Sequence, residues 1–335
     1  MLAAGRAEHV ATAASVAVAD DATRGPLDLL TLGEPLICLT SHGRLSASPT
    51  LVKSVGGAEA NVAIGLARLG LRTGFISRVG ADPFGEEIVR TLRGEGVDVS
   101  RVQRSPARPT GLMVVELRAP EDARVHYYRQ GSAVTELAGI GRAPASRYVH
   151  LTGITLALGG APADAARDLL SQARALGARV SFDPNIRLKL WSLEDAVTTV
   201  REILPHVDDL LLSEAEALAI AAAGDLDEAI AWLTGRGIAR VVVRRGAAGA
   251  IGCADGERHE VAAQAPGAVV DCVGAGDAFT AGYLFERIRG ASFGAALSCG
   301  SWAAGHAVSH HGHYEGLPDR ADYATWRGVA TEVDR

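Results

Sequence analysis

The sequence predicts an α/β protein with a mostly parallel central sheet and a small second β-sheet set apart from it. Three observations carry this. From Tyr148 onward, short apolar runs alternate with helical stretches of about 10–15 residues, the pattern of right-handed βαβ units. Thr110 to Tyr128 reads instead as a hairpin, and Arg44 to Val55 also has strand character. Finally, 335 residues, 48% of them hydrophobic, suffice for a large core, and α/β folds of this length often form one domain.

Taken in order, Leu27 to Leu32 reads as a buried strand ending at Gly33-Glu34-Pro35, with Leu36 to Leu39 extended beyond it. Ala58 to Leu69 is a helix with Val62, Leu66 and Leu69 on one face and Gly70 as its stop. Phe75 to Val79 is a strand, and Glu86 to Arg93 a helix stopped by Gly94. Met113 to Leu117 and Val125 to Tyr128 flank the charged turn Pro120-Glu121-Asp122. Strand and helix then alternate: Tyr148–Leu151, Pro162–Leu176, Arg179–Phe182, Leu193–Leu204, Leu210–Leu212, Ala215–Ala223 and Arg240–Val243. Pro162 suits a first helical position. Residues 27–325 form the folded unit, with inserted β segments near 40–57 and 110–131, and 326–335 a C-terminal tail.

Composition excludes several classes. A net charge of −6 with pI ≈ 5.9 argues against a nucleic-acid partner. No apolar run approaches the ~18 residues of a membrane span. Cys38, Cys253, Cys272 and Cys299 are scattered, which fits neither a disulfide framework nor a metal site, and reads as a reducing cytoplasm. Val10 to Ala19 faintly resembles a secretory signal, but Glu8 interrupts the basic region before it, so residues 1–26 are expected to be a disordered tail.

The richest segment is Asp271-Cys272-Val273-Gly274-Ala275-Gly276-Asp277-Ala278-Phe279. Ala268-Val269-Val270 reads as a strand leading in, and Ala278 to Ile288 as a helix leading out. The glycines permit a tight turn and close approach to a ligand. The first N–H groups of the helix, with its dipole, favour an anion. A carboxylate at Asp277 would repel a bound phosphate unless it takes a proton from the group attacking that phosphate. Two common nucleotide motifs are absent. No GxGxxG follows the first strand, and neither lysine, Lys53 or Lys189, follows a glycine as in a Walker A loop. Polar clusters at other strand ends are therefore the places to look: Gly56 to Asn61, Asp183 to Arg187, Ser213 to Glu216, and Arg245 to Gly249.

Gly56-Gly57-x-x-x-Asn61 and Gly274-Ala275-Gly276-Asp277 resemble the two signatures of the ribokinase-like (PfkB) carbohydrate kinases, and the similarity runs from Leu27 to about Ala324. It is strongest toward the 2-keto-3-deoxygluconate kinase branch, through Gly33 to Leu36, Tyr127 to Ala133, Leu151 to Ile154, Asn185 to Arg187 with Trp191, and Leu212 to Glu216. The resemblance implies a three-layer α/β/α fold with a β-sheet lid over the sugar. It implies ATP with Mg²⁺, a homodimer or higher homo-oligomer through the lid, and transfer of the γ-phosphoryl group to a primary hydroxyl of a sugar or sugar acid. On it, Asp277 is the general base, and the N–H groups of Gly274, Ala275, Gly276 and Asp277 hold the transferring group. Gly57, Asn61, Tyr127, Arg129, Arg187 and His313 would face the substrate. Asn185, Ser213, Glu216, Arg245, Gly246 and Gly249 would serve the nucleotide, with Glu216 reaching Mg²⁺ through water and Asp271 a ligand for a monovalent cation such as K⁺.

Structural alternatives stay open at this stage. Asn61 could cap a turn. Tyr127 and Arg129 could lie on a solvent face. Arg187 could be a surface ion-pair partner, and Glu216 could serve the helix dipole. His310, His311 and His313 read as a loop near the sugar rather than a metal site. Met113 and His313 depart from the branch pattern and leave the sugar open: fructose, 2-keto-3-deoxygalactonate or a nucleoside ribose are alternatives, as is a sugar-binding regulator without catalysis. Cys38 stands where fructokinase-like members tend to carry an aspartate, which argues against fructose. Cys272 replaces the usual Thr or Pro of the second signature.

Overall fold

The computed structural model describes residues 25–119, 122–264 and 267–329. The N-terminal tail expected from the sequence lies almost wholly outside them, as do Pro120 and Glu121 of the expected turn.

Among the described residues the central sheet has nine strands: β1 (Leu27–Leu32), β4 (Thr73–Gly80), β5 (Val102–Ser105), β8 (Ser146–Thr152), β9 (Arg179–Asp183), β10 (Asp209–Ser213), β11 (Arg240–Arg244), β12 (Ala250–Ala254) and β13 (Glu257–Val261). Their spatial order is β13-β12-β11-β10-β9-β8-β1-β4-β5. Pairing is parallel from β11 through to β5, and antiparallel for β11–β12 and β12–β13. The clean strand–helix alternation expected from the sequence therefore ends at β11, where a hairpin turning at Asp255-Gly256 closes the sheet. Both turn residues have positive φ, 52° and 79°, as a two-residue hairpin turn requires.

Strand periodicity makes the layers. Leu30, Val149, Leu151, Val180, Phe182, Leu210, Leu212, Val241 and Val243 face one helical layer. That layer holds α3 (Gly153–Ala157), α4 (Gly160–Leu176), α5 (Leu193–Ile203), α6 (Glu214–Ala221) and α7 (Leu226–Thr234). Leu29, Tyr148, Leu211 and Val242 face the other, built on α1 (Ala58–Arg68), α8 (Ala275–Ile288) and α9 (Phe293–Ala307), with α2 (Pro83–Gly94) beside them. Both faces of the parallel strands are buried, which is why these runs are continuously apolar. α10 (Arg320–Trp326) is the last helix among the described residues, Trp326 stacking on Trp302 at 4.9 Å. No helix of the described residues is long and apolar enough to cross a membrane.

A second sheet of four strands, β2 (Leu36–His42), β3 (Val52–Gly56), β6 (Leu112–Ala119) and β7 (Asp122–Tyr128), stands apart in the order β3-β2-β6-β7. β6 and β7 are the expected hairpin. Leu36, Cys38, Met113 and Val115, with Val125 and Tyr127, form its apolar face.

A second expectation fails. Ala268–Val270 is not a strand: Val270 N–H and Asp271 N–H both turn to the carbonyl of Val308, so this β-branched run joins no ladder. α8 is entered from a loop.

α1 and α8 cross closely. A Cβ added to Gly65 would lie 2.8 Å from Ala281 Cβ, nearer than two methyl groups can approach. Gly65→Leu is accordingly expected to cost about 3 kcal/mol in urea unfolding. Gly94→Ala, at a helix end with open space around the added Cβ, should be neutral or stabilising by up to about 1 kcal/mol in the same assay.

Candidate active site

In the central sheet, strand order reverses between β1 and β8. The carboxyl ends of strands on either side of such a reversal form a crevice. Glu59, buried in the first turn of α1, crosses it: Thr152 Oγ1 and Thr155 Oγ1 donate to Glu59 Oε1 at 2.6 and 2.7 Å, and its carboxyl lies where a Cβ of Gly33 would be. Burial pushes this carboxyl above its ordinary range, opposed by the two threonine hydroxyls.

The two expected signatures meet here. Gly65 and Ala281, in contact, lie one helical turn beyond Asn61 and Asp277. Asn61 Nδ2 donates to Asp277 Oδ2 at 2.7 Å, across 216 residues of chain. Asn61 Oδ1 is buried and has no hydrogen-bond partner among the described residues, a costly condition unless a ligand donates to it.

Both helices also start alike. Gly57 (φ 134°) and Gly274 (φ 77°) are their N-caps, and neither is capped by a side chain. α4 shares an uncapped glycine start at Gly159, whereas α2, α5, α6, α7, α9 and α10 begin with Asp82, Ser192, Ser213, Asp225, Ser292 and Asp319, each accepting from a backbone N–H of its helix. The first donors of α8, at Ala275, Gly276 and Asp277, are thus left without a side-chain acceptor, which suits an anion. Close packing demands both glycines: a Cβ on Gly57 would lie 2.7 Å from the Glu34 carbonyl oxygen, and one on Gly274 2.6 Å from that of His313.

Beneath this helix start lies Arg244 at the end of β11. It donates through Nη1 to the Gly276 carbonyl at 3.1 Å and through Nη2 to Asp183 Oδ1 at 3.0 Å, with Nη1 2.8 Å from Asp183 Oδ2. The sequence pointed to Arg245. Adjacent strand residues face opposite ways, and Arg245 turns away to the Ala248 carbonyl at 3.2 Å and toward Glu260. Burial raises the carboxyl of Asp277 from its ordinary 3.8 to about 7; the Asn61 bond opposes this, Asp183 adds to it, and Arg187 and Arg244 oppose it.

The remaining expected residues fall in two groups. Asn185 is buried with φ 41°, its N–H on Asp183 Oδ1. Arg187 is exposed and makes no ion pair among the described residues. Ser213 and Glu216 form a capping box, and Glu216 Oε1 also accepts Ile186 N–H at 2.7 Å. Both oxygens of Glu216 thus already accept protein donors, which suits reaching a divalent ion through water better than binding it directly. Asp271, also buried, accepts from Val273 N–H at 2.9 Å and Gly312 N–H at 3.4 Å. His313 is buried beside Gly56, and burial lowers its imidazole to about 4, opposed by Asp271. Gly246 faces open space, whereas a Cβ at Gly249 would strike the Val261 carbonyl, so its small size serves the turn. Among the described residues no three His, Cys, Asp or Glu side chains stand together as a metal-binding group.

Tyr127 is half-buried on the face of the small sheet that carries Cys38 and Met113, and Arg129, just past β7, is buried, so neither lies on a solvent face. Arg129 is not free, however. It is buried against the carboxylate of Glu34, with its guanidinium 5.3 Å from the Tyr127 ring centroid. No local pattern marks this ion pair, whose partners are 95 positions apart.

A pattern describing the pfkB family carbohydrate kinases matches residues 29–320. The chain belongs to that family. It is an ATP-dependent sugar kinase. Among curated relatives it is 33% identical over 319 residues to a 2-dehydro-3-deoxygluconokinase of Bacillus subtilis (strain 168), covering 92% of this chain and 97% of that one. It is 36% identical over 260 residues to a fructokinase of Escherichia coli, covering 76% and 82%. Among solved structures, a fructokinase from Vibrio cholerae O395 in fructose, ADP and calcium ion bound form superposes with a TM-score of 0.80 at 26% identity, covering 91% and 99%.

The raised carboxyl of Asp277 has a thermodynamic consequence in this kinase. The folded state binds that proton more tightly than the unfolded chain, so this contribution to stability is complete below 3.8 and is lost as pH rises to about 7. Asp277→Asn is therefore expected to raise the melting temperature more at pH 8 than at pH 5, as scanning calorimetry would show.

Proposed function

We propose that this kinase phosphorylates a primary hydroxyl of a sugar acid of the 2-keto-3-deoxygluconate type, with Asp277 as general base. One observation carries the reading: Asp277, held by Asn61 and raised toward neutrality, stands at the start of a helix whose first donors have no side-chain cap. A base is most effective when its pKa lies near the working pH.

In this reading the sugar hydroxyl donates its proton to Asp277. Its oxygen bonds to the γ-phosphorus of ATP as the bond to the β–γ bridging oxygen breaks, and ADP leaves. The N–H groups of Ala275, Gly276 and Asp277 meet the charge on the transferring group. Arg244 holds the Gly276 carbonyl and keeps those donors aimed. A divalent ion would neutralise phosphate charge, with Glu216 as its water-mediated anchor, and Asp271 has lone pairs left for a monovalent cation. Asn61 Oδ1, unpartnered, accepts from a second sugar hydroxyl. His313, neutral at physiological pH, offers a ring nitrogen beside Gly56.

The acid in the substrate rests on cations. Arg187 is exposed and unpaired, and Arg129 keeps a buried Nε with no hydrogen-bond partner among the described residues. Both suit a carboxylate. Cys38, whose thiol burial pushes up, offers no carboxylate to a neutral sugar.

Asp277→Asn is expected to lower kcat by about 10²–10⁴ with little change in KM for ATP. The parent's kcat/KM for the sugar should rise with pH through an inflection near 7, where Asp277 of the free enzyme loses its proton. Arg187→Ala should raise KM for a sugar acid about tenfold or more and leave KM for a neutral sugar within twofold. ADP release measured across sugar acids, ketohexoses and nucleosides tests the substrate; preference for a neutral sugar would remove the sugar-acid assignment and leave the kinase.

A further inference from the structure

The chain passes between the central and the small sheet four times: at 33–35 between β1 and β2, at 56–57 between β3 and α1, at 106–111 between β5 and β6, and at 129–132 after β7. Glu34 touches every passage. It lies in the first. Its carbonyl oxygen would sit 2.7 Å from a Cβ on Gly57, in the second. Its Oε1 would sit 2.5 Å from a Cβ on Gly111, in the third. In the fourth, Ser132 Oγ donates to Oε1 at 2.6 Å and the Arg129 guanidinium closes on Oε2. Glu34 is only 5% exposed and Arg129 8%, so each charge has the other as its main compensation.

We propose that Glu34 is a positioning residue for the sugar site: one carboxylate sets the small sheet against the body of the protein and aims Arg129 at the substrate. The placement rests on geometry; the consequence for the sugar rests on the reading of the site given above. Neutralising Glu34 removes the one carboxylate in contact with the buried Arg129 cation and leaves only the more distant Glu59 within electrostatic range. The guanidinium must then leave its place, and the segment just past β7 that carries it must move as well. The glycines at 57 and 111 give the neighbouring passages no side chains with which to resist. The main sheet is tied by its own ladders and does not depend on this contact.

The experiment compares Glu34→Gln with the parent by amide hydrogen exchange and by steady-state kinetics. Exchange in β2, β3, β6 and β7 is expected to quicken about tenfold while β8 to β11 stay unchanged. KM for the sugar acid should rise about tenfold with KM for ATP within twofold, and Glu34→Asp, which keeps the charge, should recover part of both effects. Equal quickening in both sheets, both KM values rising together, or no change in either measurement would overturn the proposal. If Glu34→Gln yields no folded protein, Ser132→Ala removes one bond from the same carboxylate and is read by the same exchange pattern. Should the parent phosphorylate no sugar acid, the substrate reading fails, and the exchange pattern still decides the placement of Glu34.

Discussion

Everything at the crevice depends on how closely α1 and α8 approach. Two glycines set the geometry at the helix starts, and a third, Gly65, lets the helices touch one turn later against Ala281. That contact converts two distant sequence motifs into one group of atoms, with Asn61 and Asp277 sharing a hydrogen bond. A wider crossing would lose the bond and move the uncapped helix donors away from the carboxylate. Interiors are close-packed and yield in steps, so one methyl group at Gly65 matters to the chemistry as well as to the core.

Charge is organised around the same place. Arg244 stands under the helix start, bound to Asp183 and to the Gly276 carbonyl, with Glu216 and Asp277 within electrostatic range. One buried cation thus serves several carboxylates that would otherwise repel one another. Without a Walker lysine, the fixed positive potential at this end of the sheet comes from that guanidinium, from Arg187 and from the helix dipole. Glu34 and Arg129 repeat the arrangement on a smaller scale where the two sheets meet.

Much of this was legible in the sequence. Long segments with one apolar periodicity, such as Leu27–Leu32 and Pro162–Leu176, formed as read, because burial on a single face or on both is what the pattern encodes. The α9 helix gave no such signal, since Ala, Gly and Ser recur around its whole circumference and none of it is exposed. The β12–β13 hairpin carried its own mark in Asp255-Gly256. Ala268–Val270 has strand composition and no strand neighbour, and pairing is a property of the whole sheet. At the site, residues within the two signatures were legible because backbone conformation restricts those positions to glycine or small side chains. Which of Arg244 and Arg245 faces inward depended on strand register, and the buried partner of Arg129 on long-range folding. Neither is written in local pattern.

The hairpin that ends the central sheet affects behaviour in concentrated solution. An unpaired strand edge invites pairing with another chain. Here the sheet stops at Glu257-Arg258-His259-Glu260-Val261, a strand dense in charge, and Arg258 is further tied to Asp227 on α7 at 2.5 Å. The opposite margin, Val102–Ser105, is four residues long and mostly polar. Among the described residues a nine-stranded sheet with apolar inner strands thus ends at both sides in a short charged or polar strand, which disfavours edge-to-edge pairing.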